Sequence, residues 1–137
     1  MSPEEITQYL SASHIAVIAT INRSGMPHLT PNWYRYDGNV LRFVTTTERL
    51  KYFNLKRDQR ISVCIYDPPS ASHYVVMYGT AAFTDASTSD QDTWDNIRLI
   101  VSRYVAPDRV DDYMARWQTE PRVLVTVTPK HIATRGT

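Results

Sequence analysis

The chain of 137 residues has one cysteine, four glycines and no long apolar run. With Cys64 as its single thiol it can form no internal disulfide, which fits a reducing compartment and sets the expectation of a cytoplasmic protein. No stretch approaches the ~20 apolar residues that span a membrane. The N-terminus is acidic rather than basic, unlike a signal peptide. Net charge is only +1, so no strong field points to nucleic acid or an anionic membrane. Repeats, low-complexity tracts and linkers are missing too. His14, His28, His73 and His131 are not spaced as metal ligands, and there is no P-loop or nucleophile elbow. The sequence therefore assigns no metal site and no catalytic side chain. Cys64, inside a VCI run, reads as a structural thiol, and His28 as an exposed strand residue.

What is present suits one domain over residues 1–137. Ser2-Pro3-Glu4-Glu5 is a helix start. His14–Asn22 reads as a buried strand, and His28–Asp37 as a second one interrupted by Pro31. Asp37-Gly38-Asn39 is a hairpin turn, and Val40–Thr45 a third strand. Arg60–Asp67 is a fourth, stopped by Pro68-Pro69, and His73–Thr84 a fifth, with Gly79 as a bend or bulge. Helices are expected over Asp90–Val105 and Asp108–Gln118, the second with Val110, Tyr113, Met114 and Trp117 on one face. Arg122–Thr128 is a sixth strand, and the tail from Lys130 is extended. Six short, mostly antiparallel strands with a few helices imply a mainly β fold, a small barrel closed or partly open. Strands apolar on both faces call for outside cover by helices or a second subunit.

The stretch TTTERLKYFNLKRDQR at 45–60 is unusual at its helix start. Helix N-termini carry partial positive charge, yet Arg49 and Lys51 stand there. Thr45 with Glu48 has the spacing of a capping box. Hydroxyls, a guanidinium, an ammonium and free amides are together the parts of a phosphate site. Both cations reach one anion only if the helix begins near residue 49 or if Arg49 approaches from the side. The competing reading is a solvated helix with a Glu48–Lys51 surface pair.

The order of these pieces resembles the pyridoxamine 5′-phosphate oxidase-like family of flavin-binding split β-barrels. The resemblance is carried by A-T-I-x-x-x-G-x-P-H at 19–28 and T-T-x-x-R-x-K-x-x-N-L-x-R-D-x-R at 45–60. G-T-A at 79–81 and R-V-L-V-T-V-T-P at 122–129 add to it. It implies a six-stranded split barrel and a homodimer with a cofactor at each of two clefts between subunits. Carried over, it puts Arg49 and Lys51 on the cofactor phosphate. It lays Thr30, Pro31, Asn32 and Trp33 along the flavin ring, with Val44 and Thr45 against the cofactor. Tyr74 is implied as a contact from the partner subunit.

The family's namesake enzymes are longer and end in a segment that binds pyridoxal phosphate. The sequence stops at Thr137 without such a segment, which sets the expectation of another substrate. The N-L-K-R-D-Q-R phrase looks more like the branch that uses the deazaflavin coenzyme F420. The implied function is a reductase passing a hydride from reduced F420 to a small unsaturated acceptor. Solvent, His28 or Tyr34 would supply the proton. Two other readings stand beside it: an FMN-dependent oxidoreductase, and a non-enzymatic dimer that carries or sequesters a cofactor.

Overall fold

Apolar side chains alternate along the strands and sort them into an inner and an outer face. The computed structural model describes residues 1–68, 71–86 and 90–136. Helix α1 (Pro3–Leu10) leads into β1 (Ala16–Ile21), β2 (Pro27–Asn32), β3 (Arg35–Tyr36) and β4 (Leu41–Thr46). After α2 (Leu50–Arg57) come β5 (Arg60–Tyr66) and β6 (Tyr74–Asp85). Then follow α3 (Gln91–Val101), a 3-10 turn at Pro107–Arg109, α4 (Val110–Trp117) and β7 (Arg122–Arg135). The strands form one antiparallel sheet in the order β2-β1-β5-β6-β7-β4-β3.

That order forces curvature. β2 and β3 are the two edges of the sheet, yet only Trp33 and Tyr34 separate them in the chain. With neighbouring Cα atoms 3.8 Å apart, Asn32 and Arg35 can lie no more than about 11 Å apart. The sheet must curl until its edges nearly meet, giving a half-barrel split along one seam. Asn32 Nδ2 crosses the seam to donate to the Val44 carbonyl at 3.3 Å.

Six strands were expected and seven are present among the described residues, because residues 28–37 form two. The break falls at Trp33-Tyr34, not at Pro31. Pro31 is paired opposite Val17 within β2, and its missing N–H is tolerated on an edge strand. The extended tail is the second half of β7. Gly79 marks a bulge in the β6–β7 pair, where the register steps from Tyr78–His131 to Gly79–Pro129. A Cβ at Gly79 would lie 2.1 Å from the Thr128 carbonyl oxygen, so the close approach admits only glycine. The expected helix over 90–105 ends at Val101, and the one over 108–118 is helical in its α form only from Val110. Of the expected strand stop, Pro68 is described, while Pro69 lies outside the described residues, as does Thr137 of the tail.

Two cores share β4. Phe43 faces the barrel interior with Ile18, Val63, Met77 and Val125, together with Ile6 and Leu10 of α1. Val44, one residue on, faces out and packs with Ile97, Ile100, Met114 and Trp117 of α3 and α4. Helices thus cover one outer face of the sheet. The end of α1 is tied down as well. Tyr34 Oη donates to the carbonyls of Leu10 and Ala12 at 3.0 and 3.2 Å. The Arg103 guanidinium donates to Leu10, Ser11 and Ala12. These bonds satisfy carbonyls that a helix end leaves open.

Candidate functional site

The seam carries a cleft in two parts. The polar part, about 510 Å³, lies where β2, the end of β4 and the start of α2 converge. His28, Thr30 and Asn32 are the half-buried alternate residues of β2 and line it. Thr45, Thr46, Arg49, Lys51 and Arg122 also line it. The apolar part, about 400 Å³, is walled by Ile15, Trp33, Ile100 and Trp117. Pro31, Asn32, Val44 and Arg122 line both, so the two parts are continuous.

Helix α2 aims its N-terminus into the polar part because its other end is anchored. Asn54 is buried, and its Nδ2 donates to Thr20 Oγ1 at 3.1 Å and Asn22 Oδ1 at 2.9 Å. Arg57 donates to the Ile21 carbonyl and to Asn54 Oδ1. The N-L-x-R-D phrase therefore pins α2 to β1 rather than touching a ligand. The Thr47 N–H donates to the Pro121 carbonyl at 3.0 Å, fixing the loop before the helix.

The capping box is not formed. Thr45 lies inside β4, opposite Val123, and the helix starts at Leu50 with Arg49 as its cap residue in extended backbone. Sheet pairing takes Thr45 away from the helix. The start near 49 meets the first of the two conditions under which both cations could reach one anion. The Glu48–Lys51 surface pair is not formed either, because Lys51 turns inward. It is buried, at 9% exposure. Its Nζ donates to Asn32 Oδ1 at 2.6 Å and to Thr30 Oγ1 at 3.1 Å. Burial first, and the nearby Arg49 charge second, push its pKa down to about 8.

No Asp or Glu is among the described residues lining the polar part, while Arg49, Lys51 and Arg122 are. Thr45 Oγ1 is buried and makes no hydrogen bond to any of the described residues. Clustered cations and an orphan hydroxyl in one cavity are unfavourable alone and favourable around a multi-oxygen anion. The donor set fits a phosphate. β2, as an edge strand, leaves one side of its backbone unpaired by any other strand, which leaves groups available to a ring laid along Thr30–Trp33.

Eight of the nine site residues expected from the sequence thus gather at this cleft. Tyr74 does not; it opens β6, opposite Tyr66 and Arg135. His28 is half-buried and lines the polar part, not an exposed strand residue. Tyr34 is fully buried, with its hydroxyl committed to backbone carbonyls. Burial chiefly raises its pKa far above the ordinary phenol range, so the phenol holds its proton, and its contacts are structural. Arg122 was not expected. Its guanidinium lies over the Trp117 ring, 4.0 Å from the centroid, and donates to Glu120 at 2.8 Å. An Arg two residues after a Glu at a strand start reads as a surface pair, so no sequence signal singled it out. Trp117 turns out to be both core and pocket wall.

A curled antiparallel half-barrel with its cleft at the seam is the architecture of a split-barrel protein. A family model described as pyridoxamine 5′-phosphate oxidase matches residues 2–136, and the chain belongs to that family. Among solved structures it is similar to an F420 reductase, with 26% identity and a TM-score of 0.72 over 92% of this chain and 94% of that one. It also resembles a conserved hypothetical protein from Mycobacterium tuberculosis, at 25% identity and TM-score 0.81, over 98% and 84% of the two chains. HutZ, the haem storage protein of Vibrio cholerae, shares the fold at 12% identity and TM-score 0.76, over 97% and 94%.

Proposed function

We propose that this chain is an F420-dependent reductase, with the cofactor phosphate held by Arg49 and Lys51. The observation that carries the reading is Lys51: a buried ammonium whose hydrogen-bond partners among the described residues are neutral, beside a second cation and the orphan Thr45 hydroxyl. The similarity to an F420 reductase supports deazaflavin over FMN. When bound, reduced F420 supplies the hydride that a small unsaturated acceptor receives. The protein's part is to hold and orient. Arg49 and Lys51 neutralise the phosphate, Thr45 donates to it, and Thr30–Trp33 with Val44 run beside the ring. The apolar part of the cleft takes the acceptor and excludes water.

The same reading makes the protein a cytoplasmic homodimer. Tyr74 lies outside the cleft of its own chain, so its contact to the cofactor requires a second subunit. An obligate interface of this kind buries on the order of 2,000 Å² or more. Sedimentation at micromolar concentration is expected to show a dimer; a stable monomer would remove the shared cleft.

The deciding experiment is titration with F420, FMN and FAD, followed by tryptophan fluorescence. F420 is expected to bind tightest, and Lys51→Ala to weaken it about 10- to 150-fold, the loss of one charge-assisted bond. Tightest binding of FMN would move the enzyme to the FMN branch. Tight binding without turnover on any acceptor would favour a cofactor carrier. Unchanged affinity in both Lys51→Ala and Arg49→Ala would remove the phosphate site itself.

A further inference from the structure

The apolar part of the cleft holds one charged side chain among its described lining residues, Arg122. Its side chain is only 16% exposed. Its Nε and Nη2 both donate to the same Glu120 oxygen, at 3.2 and 2.8 Å. A fork matched to a carboxylate uses both oxygens in parallel, so this pairing is incomplete. Glu120 is also the more exposed partner, with 38% of its side chain in solvent. The guanidinium carbon lies over the Trp117 ring, 4.0 Å from its centroid, while Trp33 stacks on the same ring system at 5.9 Å. A planar cation thus sits at the rim of a compartment with aromatic and aliphatic walls.

We propose that this compartment takes a planar apolar ligand bearing one carboxylate, and that Arg122 holds the carboxylate by exchanging Glu120 for it. The flat walls select an unsaturated or aromatic skeleton. The guanidinium selects the acid over its neutral analogue, because two parallel bonds to a carboxylate form where little water competes. Only the ligand's role as acceptor rests on the reductase reading; its binding does not.

The probes are 2-naphthoate and its uncharged counterpart 2-naphthamide, titrated by quenching of tryptophan fluorescence. The acid is expected to bind about tenfold or more tighter than the amide. Arg122→Gln should erase that preference. Glu120→Gln, which removes the competing carboxylate, should strengthen binding of the acid severalfold and leave the amide unchanged. Arg49→Ala with Lys51→Ala should keep the preference. Equal affinity for acid and amide overturns the proposal. So does a preference lost with Arg49 and Lys51, which places the carboxylate in the polar part. If Arg122→Gln fails to fold, Glu120→Gln decides: no gain for the acid overturns the exchange. Naphthoate selectivity in a protein that binds neither F420 nor FMN would sink the reductase reading and leave this one standing.

Discussion

Lys51 Nζ donates to Asn32 Oδ1 at 2.6 Å, joining the start of α2 to the edge strand β2. The bond positions the charge but does not neutralise it. An amide oxygen offsets part of the desolvation of an ammonium; a carboxylate would offset far more. The site is therefore poised for an anion at some cost to the empty protein. Lys51→Met should move two quantities in opposite directions. Cofactor affinity should fall about 10- to 150-fold. Stability without ligand should hold or rise, as a desolvated charge is replaced by an apolar chain of similar length. Chemical denaturation of both proteins, with and without cofactor, checks this. A destabilised empty variant would mark Lys51 as structural.

The same group sets a pH dependence. In the folded protein Lys51 loses its proton near pH 8, against 10.5 for an unperturbed lysine. Between those values the unfolded chain holds more protons, so stability rises with pH across that window. Below about pH 8 both states are charged, and the contribution no longer changes with pH. Phosphate binding works the other way, because the anion keeps the proton on Lys51. Cofactor affinity should therefore be nearly flat from neutrality to about pH 8 and fall above it. Lys51→Met should lose both trends. Titrations from neutral to alkaline pH on the two proteins make the comparison.

The legibility of the site followed physical lines. Arg49 and Lys51 stood out because cations oppose the helix dipole, a conflict visible in one dimension. Thr45 lies at the cleft as expected but not as a helix cap, because the pull of β4–β7 pairing on its backbone is a tertiary effect. The break between β2 and β3 had no glycine or proline to announce it. It is imposed by Tyr34, buried against the end of α1. Arg122 became visible only when β7 brought it beside Trp117 and both halves of the cleft. Trp33 was expected at the ring, but its stack on Tyr104, with centroids 5.1 Å apart and planes 2° apart, depends on the turn after α3.

Tyr34→Phe separates a structural phenol from a catalytic one. The Leu10 and Ala12 carbonyls that lose the hydroxyl keep their bonds from Arg103, at 3.2 and 2.9 Å. The loss should therefore stay near the net value of one hydrogen bond, about 1 kcal/mol. Cofactor affinity and turnover should match wild type. Thermal denaturation and steady-state kinetics check both. A collapse of turnover with intact folding would return Tyr34 to the reaction.

Trp117 belongs to two structures at once, and its substitutions should show it. The ring packs with Ile97, Ile100 and Met114 in the helix-side core, supports Arg122 from below, and walls the apolar part of the cleft. Trp117→Ala should cost about 3–5 kcal/mol, since the cavity forms beneath two helices and a strand that cannot collapse onto it. Trp117→Phe keeps most of the volume and a face for the guanidinium, so it should cost about 1–2 kcal/mol. Both variants should bind an apolar ligand in the cleft more weakly than wild type, the alanine variant most. Thr45, Arg49 and Lys51 line the other part of the cleft, so inorganic phosphate should bind all three proteins alike. Denaturation, ligand titration and phosphate titration on the same preparations test the three statements separately. Full stability with lost ligand binding would make Trp117 a wall alone, and the reverse would make it core alone.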